Sequence, residues 1–311
     1  MDDIRPGHGS GVLIMNQADI KQHVTDLIIK QLEAGEVPWR KGWSSAGGVP
    51  TSLQTNRPYQ GVNALILSIV GMDYSRPLWV TYNNARKLGG HVRKGEKGTA
   101  VVYGKKITKQ EQLENGETVT GSFFLYKADI VFNVDQCDGI ELPARYVIDE
   151  NREPVDVMPA MAQLWDGYQN RPELFYSEQG RAFYSPSADS ITLPTLKQFN
   201  SEKEHAYTLA HEMIHSTGHQ SRLDRWKNAD EKPSGFGCES YAKEELVAEL
   251  GACMMLSSVG IEFDLKNSGA YIKNWLGALR DDTSLILKAS SKAQAAANHI
   301  LGIKVEEEVA A

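Results

Sequence analysis

Apolar residues recur along this chain with two different periods, and the switches between them mark out its elements. Ile20, Val24, Leu27, Ile28 and Leu32 repeat at helical spacing, which predicts a helix from Ile20 to a stop near Gly35. Pro38 to Ser52 loses that period and predicts a loop carrying Trp39 and Trp43. A second helix is predicted over 62–70, an extended element at 79–81, and a short helix over 83–88 ending at Gly89-Gly90. Residues 99–103 and 123–132 are dense in β-branched and aromatic side chains and read as strands, joined through a polar connection at 109–121. The polar, Pro-punctuated 135–154 then reads as a linker.

The second half predicts a helix over 159–170, short strands at 183–184 and 190–194, and longer helices over 201–217, 241–256 and 288–301. The expected fold class is therefore α+β, and 311 residues fit two domains better than one. Residues 1–14 read as a disordered extension, 15–140 as a mixed α/β domain, 141–157 as the linker and 158–311 as the second domain. No apolar run reaches the roughly 18 residues of a membrane span. Cys137, Cys238 and Cys253 are odd in number and unpaired in spacing, which fits a reducing compartment. With no signal peptide at the N-terminus, a cytoplasmic location and no membrane partner are expected.

The most specific chemistry lies in the helix predicted over 201–217. His211-Glu212-Met213-Ile214-His215 is an HExxH sequence, and residues four apart on a helix share a face, so both imidazoles reach one metal ion. Glu212 is placed to take a proton from a water that the metal has acidified toward a pKa of about 7. Such a site needs a third protein ligand and an open position. The helix beginning at Tyr241 offers Glu245 as that ligand, with Glu244 as the fallback. One turn further, Glu249 is expected to accept a hydrogen bond from His211. This resembles the thermolysin-like, or gluzincin, arrangement. Zn2+ is the expected cofactor, with Mn2+ or another divalent ion as the alternative. His205 and His219 read as structural, and the 190–194 strand as the sheet edge that holds an extended peptide.

Overall charge conceals the second feature. The net charge is −7, yet residues 40–110 hold twelve Lys/Arg and two acids, a net +10. Such a field attracts phosphate and makes binding salt-dependent. The interleaved aromatic residues suit unpaired bases, because stacking tolerates any sequence. Single-stranded DNA is thus the expected partner, with Trp39, Arg40, Lys41, Trp43, Arg57, Tyr59, Trp79, Arg86, Lys87, Arg93, Lys94, Lys97, Lys105 and Lys106 as its candidate contacts. The charge split also predicts that the acidic second half docks on the basic first half.

Long ordered blocks carry a resemblance across nearly the whole chain after Met15. They include Asn56-Arg-Pro-Tyr-Gln-Gly-Val-Asn63, Leu88-Gly-Gly-His-Val-Arg-Lys-Gly-Glu-Lys-Gly-Thr99, the HExxH motif with Thr217-Gly218, and Tyr241-Ala-Lys-Glu-Glu-Leu-Val-Ala-Glu-Leu-Gly251. Together they resemble the ArdC family of plasmid antirestriction proteins. The resemblance implies a single-stranded-DNA-binding domain, similar to a region of TraC-type primases, followed by a zincin-like metallopeptidase domain. It implies protection of incoming plasmid DNA from host restriction during conjugation. Two other functions stay open: a DNA-binding protective module whose metal is only structural, and a general intracellular metalloprotease. The residues name no protein substrate and no oligomeric state.

Overall fold

In the computed structural model, which describes residues 12–13, 17–41, 48–112, 118–143, 146, 155–227, 239–261 and 269–304, the two halves form mixed α+β domains. The first contains β1 (Val12–Leu13), α1 (Gln17–Glu33), α2 (Pro38–Lys41), β2 (Thr51–Ser52), α3 (Gly61–Val70), β3 (Leu78–Thr81), α4 (Tyr82–Lys87), β4 (His91–Val92), β5 (Thr99–Gln112), β6 (Thr118–Asn133) and β7 (Cys137–Asp138). Strand β6 is central. Along one edge it pairs antiparallel with β5, and along the other with β1 and β3, while β2 extends the sheet parallel to β3. Two expectations change here. The 109–121 connection is largely strand, since the hairpin ladder continues to Gln112 and Thr118. Val12 and Leu13, expected in a disordered extension, pair with Asp129 and Ala128.

The outer edge of β5 is closed by a side chain. Asn63 on α3 donates to the Val102 carbonyl and accepts from the Val102 N–H, both at 2.7 Å. Its amide thus stands in for a neighbouring strand, which removes two backbone groups from an otherwise open edge.

The second domain contains α5 (Val157–Gly167), β8 (Glu173–Ser177), β9 (Phe183–Ser185), β10 (Ser190–Pro194), α6 (Glu202–Ser216), α7 (Glu239–Ser258), α8 (Gly269–Asp281) and α9 (Leu285–Ile300). Its sheet runs β8-β10-β9, with β10 parallel to β8 and antiparallel to β9. The 190–194 strand is therefore flanked on both sides and cannot be the peptide-holding edge. The missed strand β8 occupies one of its edges.

An apolar core runs through both domains. Ile20, Val24 and Ile28 of α1 and Ala64 and Leu65 of α3 join one cluster with Leu279 of α8 and Ala293 and Ala297 of α9. Trp39 of α2 meets Trp275 of α8 edge-on, with ring centroids 5.1 Å apart. Thr25 Oγ1 donates to the Thr283 carbonyl, and the Gly61 N–H donates to Gln294 Oε1. The halves join through buried apolar surface, not through the expected docking of an acidic half on a basic one. Among the described residues, no helix is long and apolar enough to cross a membrane.

Candidate metal centre

Helix α6 starts cleanly because Ser201 accepts a hydrogen bond from the Glu204 N–H, the usual service of an N-cap serine. Its inner face buries Ala206, Leu209, Ala210, Met213 and Ile214. Helix α7 comes close because Gly251 faces Ile214, where an added Cβ would sit 2.9 Å from the isoleucine side chain. Ala248 and Ala252, both buried, keep the rest of that face slim. The helix ends before Gly218, where an added Cβ would lie 2.4 Å from the Trp226 ring.

These two helices bring His211, His215 and Glu245 together, with one ligand atom from each lying within 4.8 Å of the others. The two Nε2 atoms are 3.1 Å apart, and Glu245 oxygens lie 3.4 Å from His211 Nε2 and 3.3 Å from His215 Nε2. Ligands about 2.0–2.1 Å from a tetrahedral zinc are separated from one another by about 3.3 Å, so this triangle fits one face of such a coordination sphere. The side chains are 15%, 14% and 9% exposed, so the triangle is largely buried but not sealed from solvent. Burial works against charge on both imidazoles, but Glu245 and Glu212 outweigh it. His211 is raised above its ordinary value, and His215, helped also by Glu244, is pushed up to about 10. Glu245 is held well below the usual carboxylate range: burial opposes its charge, and its bonds to the two imidazoles prevail. The cluster therefore favours positive charge at its centre, as a cation site should.

Glu212 is also buried and lies near enough to act on both imidazoles, with no hydrogen-bond partner among the described residues. The remaining expectations shift. Glu244, the fallback ligand, lies behind the triangle, its Oε1 3.3 Å from His215 Nδ1. A carboxylate only accepts, so Nδ1 carries the proton and Nε2 faces the triangle. Glu249 stands 4.0 Å from His211 Nδ1, too far for the expected hydrogen bond, and instead accepts one from the Tyr207 hydroxyl at 2.5 Å. Arg225, absent from the sequence-based set, donates to Glu244 at 2.5 Å. His205 and His219 stay outside the triangle, His205 stacked on Tyr176 and His219 beside Ser221 and Asp189.

The candidate DNA contacts divide. Trp39 and Trp79 are fully buried, Trp39 against Trp275 and Trp79 among Leu67, Val101 and Val131, so neither offers a face to a base. Tyr59 is half-buried against the same core, and burial pushes its hydroxyl up to about 12. The Arg93 guanidinium is tied to Glu96, Asp138 and the Asp135 carbonyl, which makes it a staple of the 89–98 turn. Arg57, Arg86, Lys87, Lys94 and Lys97 are exposed. Trp43 lies outside the described residues, as do the side chains of Arg40, Lys41, Lys105 and Lys106. Among the described residues of this domain, the exposed large aromatics are instead Tyr82 and Tyr103.

Comparison with known proteins places these features in a family context. A family described as the N-terminal domain of anti-restriction factor ArdC matches residues 18–132, and one described as zincin-like metallopeptidase matches 169–292. The chain is 38% identical to the metal-free crystal structure of antirestriction ArdC from plasmid R388, covering 92% of this chain and 97% of that one, with a TM-score of 0.71. The Mn(II)-bound structure of the same protein matches at 36% identity and a TM-score of 0.70. An Escherichia coli DNA primase TraC is 32% identical over 308 residues, and the chain spans 20% of its length. An uncharacterized Sinorhizobium fredii protein, y4eC, is 30% identical, with 89% of each chain covered.

Proposed function

The chain belongs to the family of the ArdC antirestriction proteins, and from that membership we propose that it protects plasmid DNA by binding it single-stranded while carrying a metal-dependent peptidase-type centre. The observation that carries the second part is the triangle of His211, His215 and Glu245 with Glu212 buried beside it. When bound, a divalent metal supplies Lewis-acid chemistry, polarising a carbonyl and acidifying water. The protein's own groups do the rest. His215 is presented through Nε2 because Glu244 holds the proton on Nδ1. Glu212 accepts a proton on a carboxylate oxygen, a task that suits a buried acid with no competing hydrogen bond among the described residues. A purely structural centre needs three or four ligands and no such base. Zinc and manganese both satisfy a donor set of two imidazoles and one carboxylate, and the manganese found in the R388 relative supports a divalent ion without selecting one.

For the DNA, the supporting surface is α4 with the turn that follows it. Tyr82 and Arg86 lie four residues apart on an exposed helix, and Lys87, His91, Lys94 and Lys97 continue that surface. An aromatic ring beside several cations suits base stacking and phosphate contact together.

The test is a conjugation assay into a restricting host, run with wild type and Glu212→Gln after metal occupancy has been measured. The expected result is retained metal with lost protection. Full protection by a metal-loaded Glu212→Gln variant contradicts the peptidase reading. For DNA, Lys87→Ala with Lys94→Ala is expected to weaken single-strand binding and flatten its salt dependence by about one unit of slope per contact removed. An unchanged salt slope contradicts the placement.

A further inference from the structure

We infer that Arg225 is a positioning residue of the metal centre, acting on His215 through Glu244 and setting the distance between the two ligand-bearing helices. The inference rests on the metal reading above. Arg225 lies in the turn after α6, immediately after Asp224, whose φ of 47° is left-handed. The residue is buried, and its guanidinium makes three contacts from two nitrogens of one planar group. Nη2 donates to the Ile214 carbonyl at 3.0 Å and to Glu244 Oε1 at 2.5 Å, while Nη1 donates to Thr217 Oγ1. Ile214 and Thr217 belong to the end of α6, and Glu244 to α7. One rigid planar group therefore spans the helix that carries both histidines and the helix that carries the third ligand.

Two consequences follow. The first concerns charge. Glu244 is buried, and a lone buried carboxylate is expensive. Arg225 supplies the opposite charge at 2.5 Å, and the Glu244 oxygen that it holds is the one 3.3 Å from His215 Nδ1. The second concerns geometry. The same guanidinium nitrogen that holds Glu244 also holds the Ile214 carbonyl, one residue before His215, so the acceptor is fixed relative to the imidazole it orients. Removal of Arg225 frees Glu244 to turn, and His215 loses the partner that keeps Nε2 aimed into the triangle. The other histidine has no equivalent among the described residues, where His211 Nδ1 finds no hydrogen-bond partner. Orientation of the site therefore depends mainly on the His215 side.

The experiment compares wild type, Arg225→Met and Arg225→Lys, each isotopically labelled with 15N-histidine, with and without one equivalent of zinc. Zinc affinity is measured by competition with a chelating dye. Wild type should show a slowly exchanging His215 Nδ1–H signal in both states. Arg225→Met should lose that signal and bind zinc about 10- to 100-fold more weakly, the range for lost orienting partners. Arg225→Lys, which keeps the charge but not the fork, should recover part of the affinity. Should Arg225→Met not fold, Glu244→Gln supplies the second variant; it should show the same direction of change in affinity while keeping a neutral acceptor for Nδ1–H. A protected Nδ1–H signal with wild-type zinc affinity in Arg225→Met overturns the inference, as does an undiminished affinity in Glu244→Gln. If wild type takes up no zinc or manganese, the metal reading fails on its own, and the zinc-free Nδ1–H signal still judges the role of Arg225.

Discussion

At Gly218 a single hydrogen atom decides whether the helix with the histidines can end where it does. Gly218 does not adopt a left-handed backbone; it is glycine because the Trp226 ring occupies the space a Cβ needs. Gly218→Ala is expected to destabilise the protein by about 1–3 kcal/mol, the range for overpacking in a filled interior. Urea denaturation checks this, and an unchanged midpoint contradicts the packing described. Nearby, Asp189 is held below its ordinary value: burial pushes it up, but hydrogen bonds from Arg222 and the Tyr184 hydroxyl outweigh that. A depressed carboxyl stabilises the fold above its unfolded pKa of about 3.9, and the contribution disappears as pH falls through the folded value. Asp189→Asn should therefore be less stable than wild type at pH 7, with the gap closing below about pH 4. A gap of equal size at both pH values shows that the ion pair is not its source. Little of this residue-level detail was legible from sequence. HExxH announces its histidines by helical spacing alone, whereas Arg225 reaches Glu244 from another part of the chain with no periodic signal.

Elements were read well where one period held. The helices at 17–33, 202–216 and 239–258 follow the predicted spans because apolar positions repeat at 3.6 residues over several turns. Strand β8 was missed because Glu-Leu-Phe-Tyr-Ser has no clean alternation, and Phe175 and Tyr176 are both exposed although they point to opposite faces. The hairpin β5–β6 was read short because its distal part is mostly polar, and the apolar residues that mark a buried strand are sparse there. Its proximal edge depends on Asn63, whose link to Val102, 39 residues away, leaves no periodic signal in the sequence. Asn63→Ala leaves the outward Val102 N–H and carbonyl without their partner, and a loss of about 1–3 kcal/mol is expected. Hydrogen exchange at the Val102 amide checks it directly: faster exchange in the variant supports the edge-closing role, and wild-type protection contradicts it.

Across the whole molecule, the charge map and the packing have separate effects. Two of the three tryptophans expected to face DNA, Trp39 and Trp79, help hold the chain together instead, because a large ring surrounded by apolar neighbours gains more from burial than from solvent. From sequence alone, Trp39 among cations and Trp39 against Trp275 look the same; only the fold separates them. Since the domains share this core, they should unfold together. Trp275→Ala is expected to lower stability by about 3–5 kcal/mol and to split or broaden the transition. In wild type, tryptophan fluorescence and far-ultraviolet dichroism should report one midpoint, unmoved between low and high salt. Two well-separated, salt-dependent midpoints contradict a shared apolar core.

The measurement that bears most directly on the account is a titration of zinc and of manganese into wild type, Glu245→Ala and Glu244→Ala. The geometry predicts one equivalent bound per chain in wild type. Loss of Glu245 should abolish tight binding, and loss of Glu244 should weaken it by only about 10- to 100-fold. Wild-type affinity in Glu245→Ala, or a wild type that binds neither ion, contradicts the centre assigned to His211, His215 and Glu245.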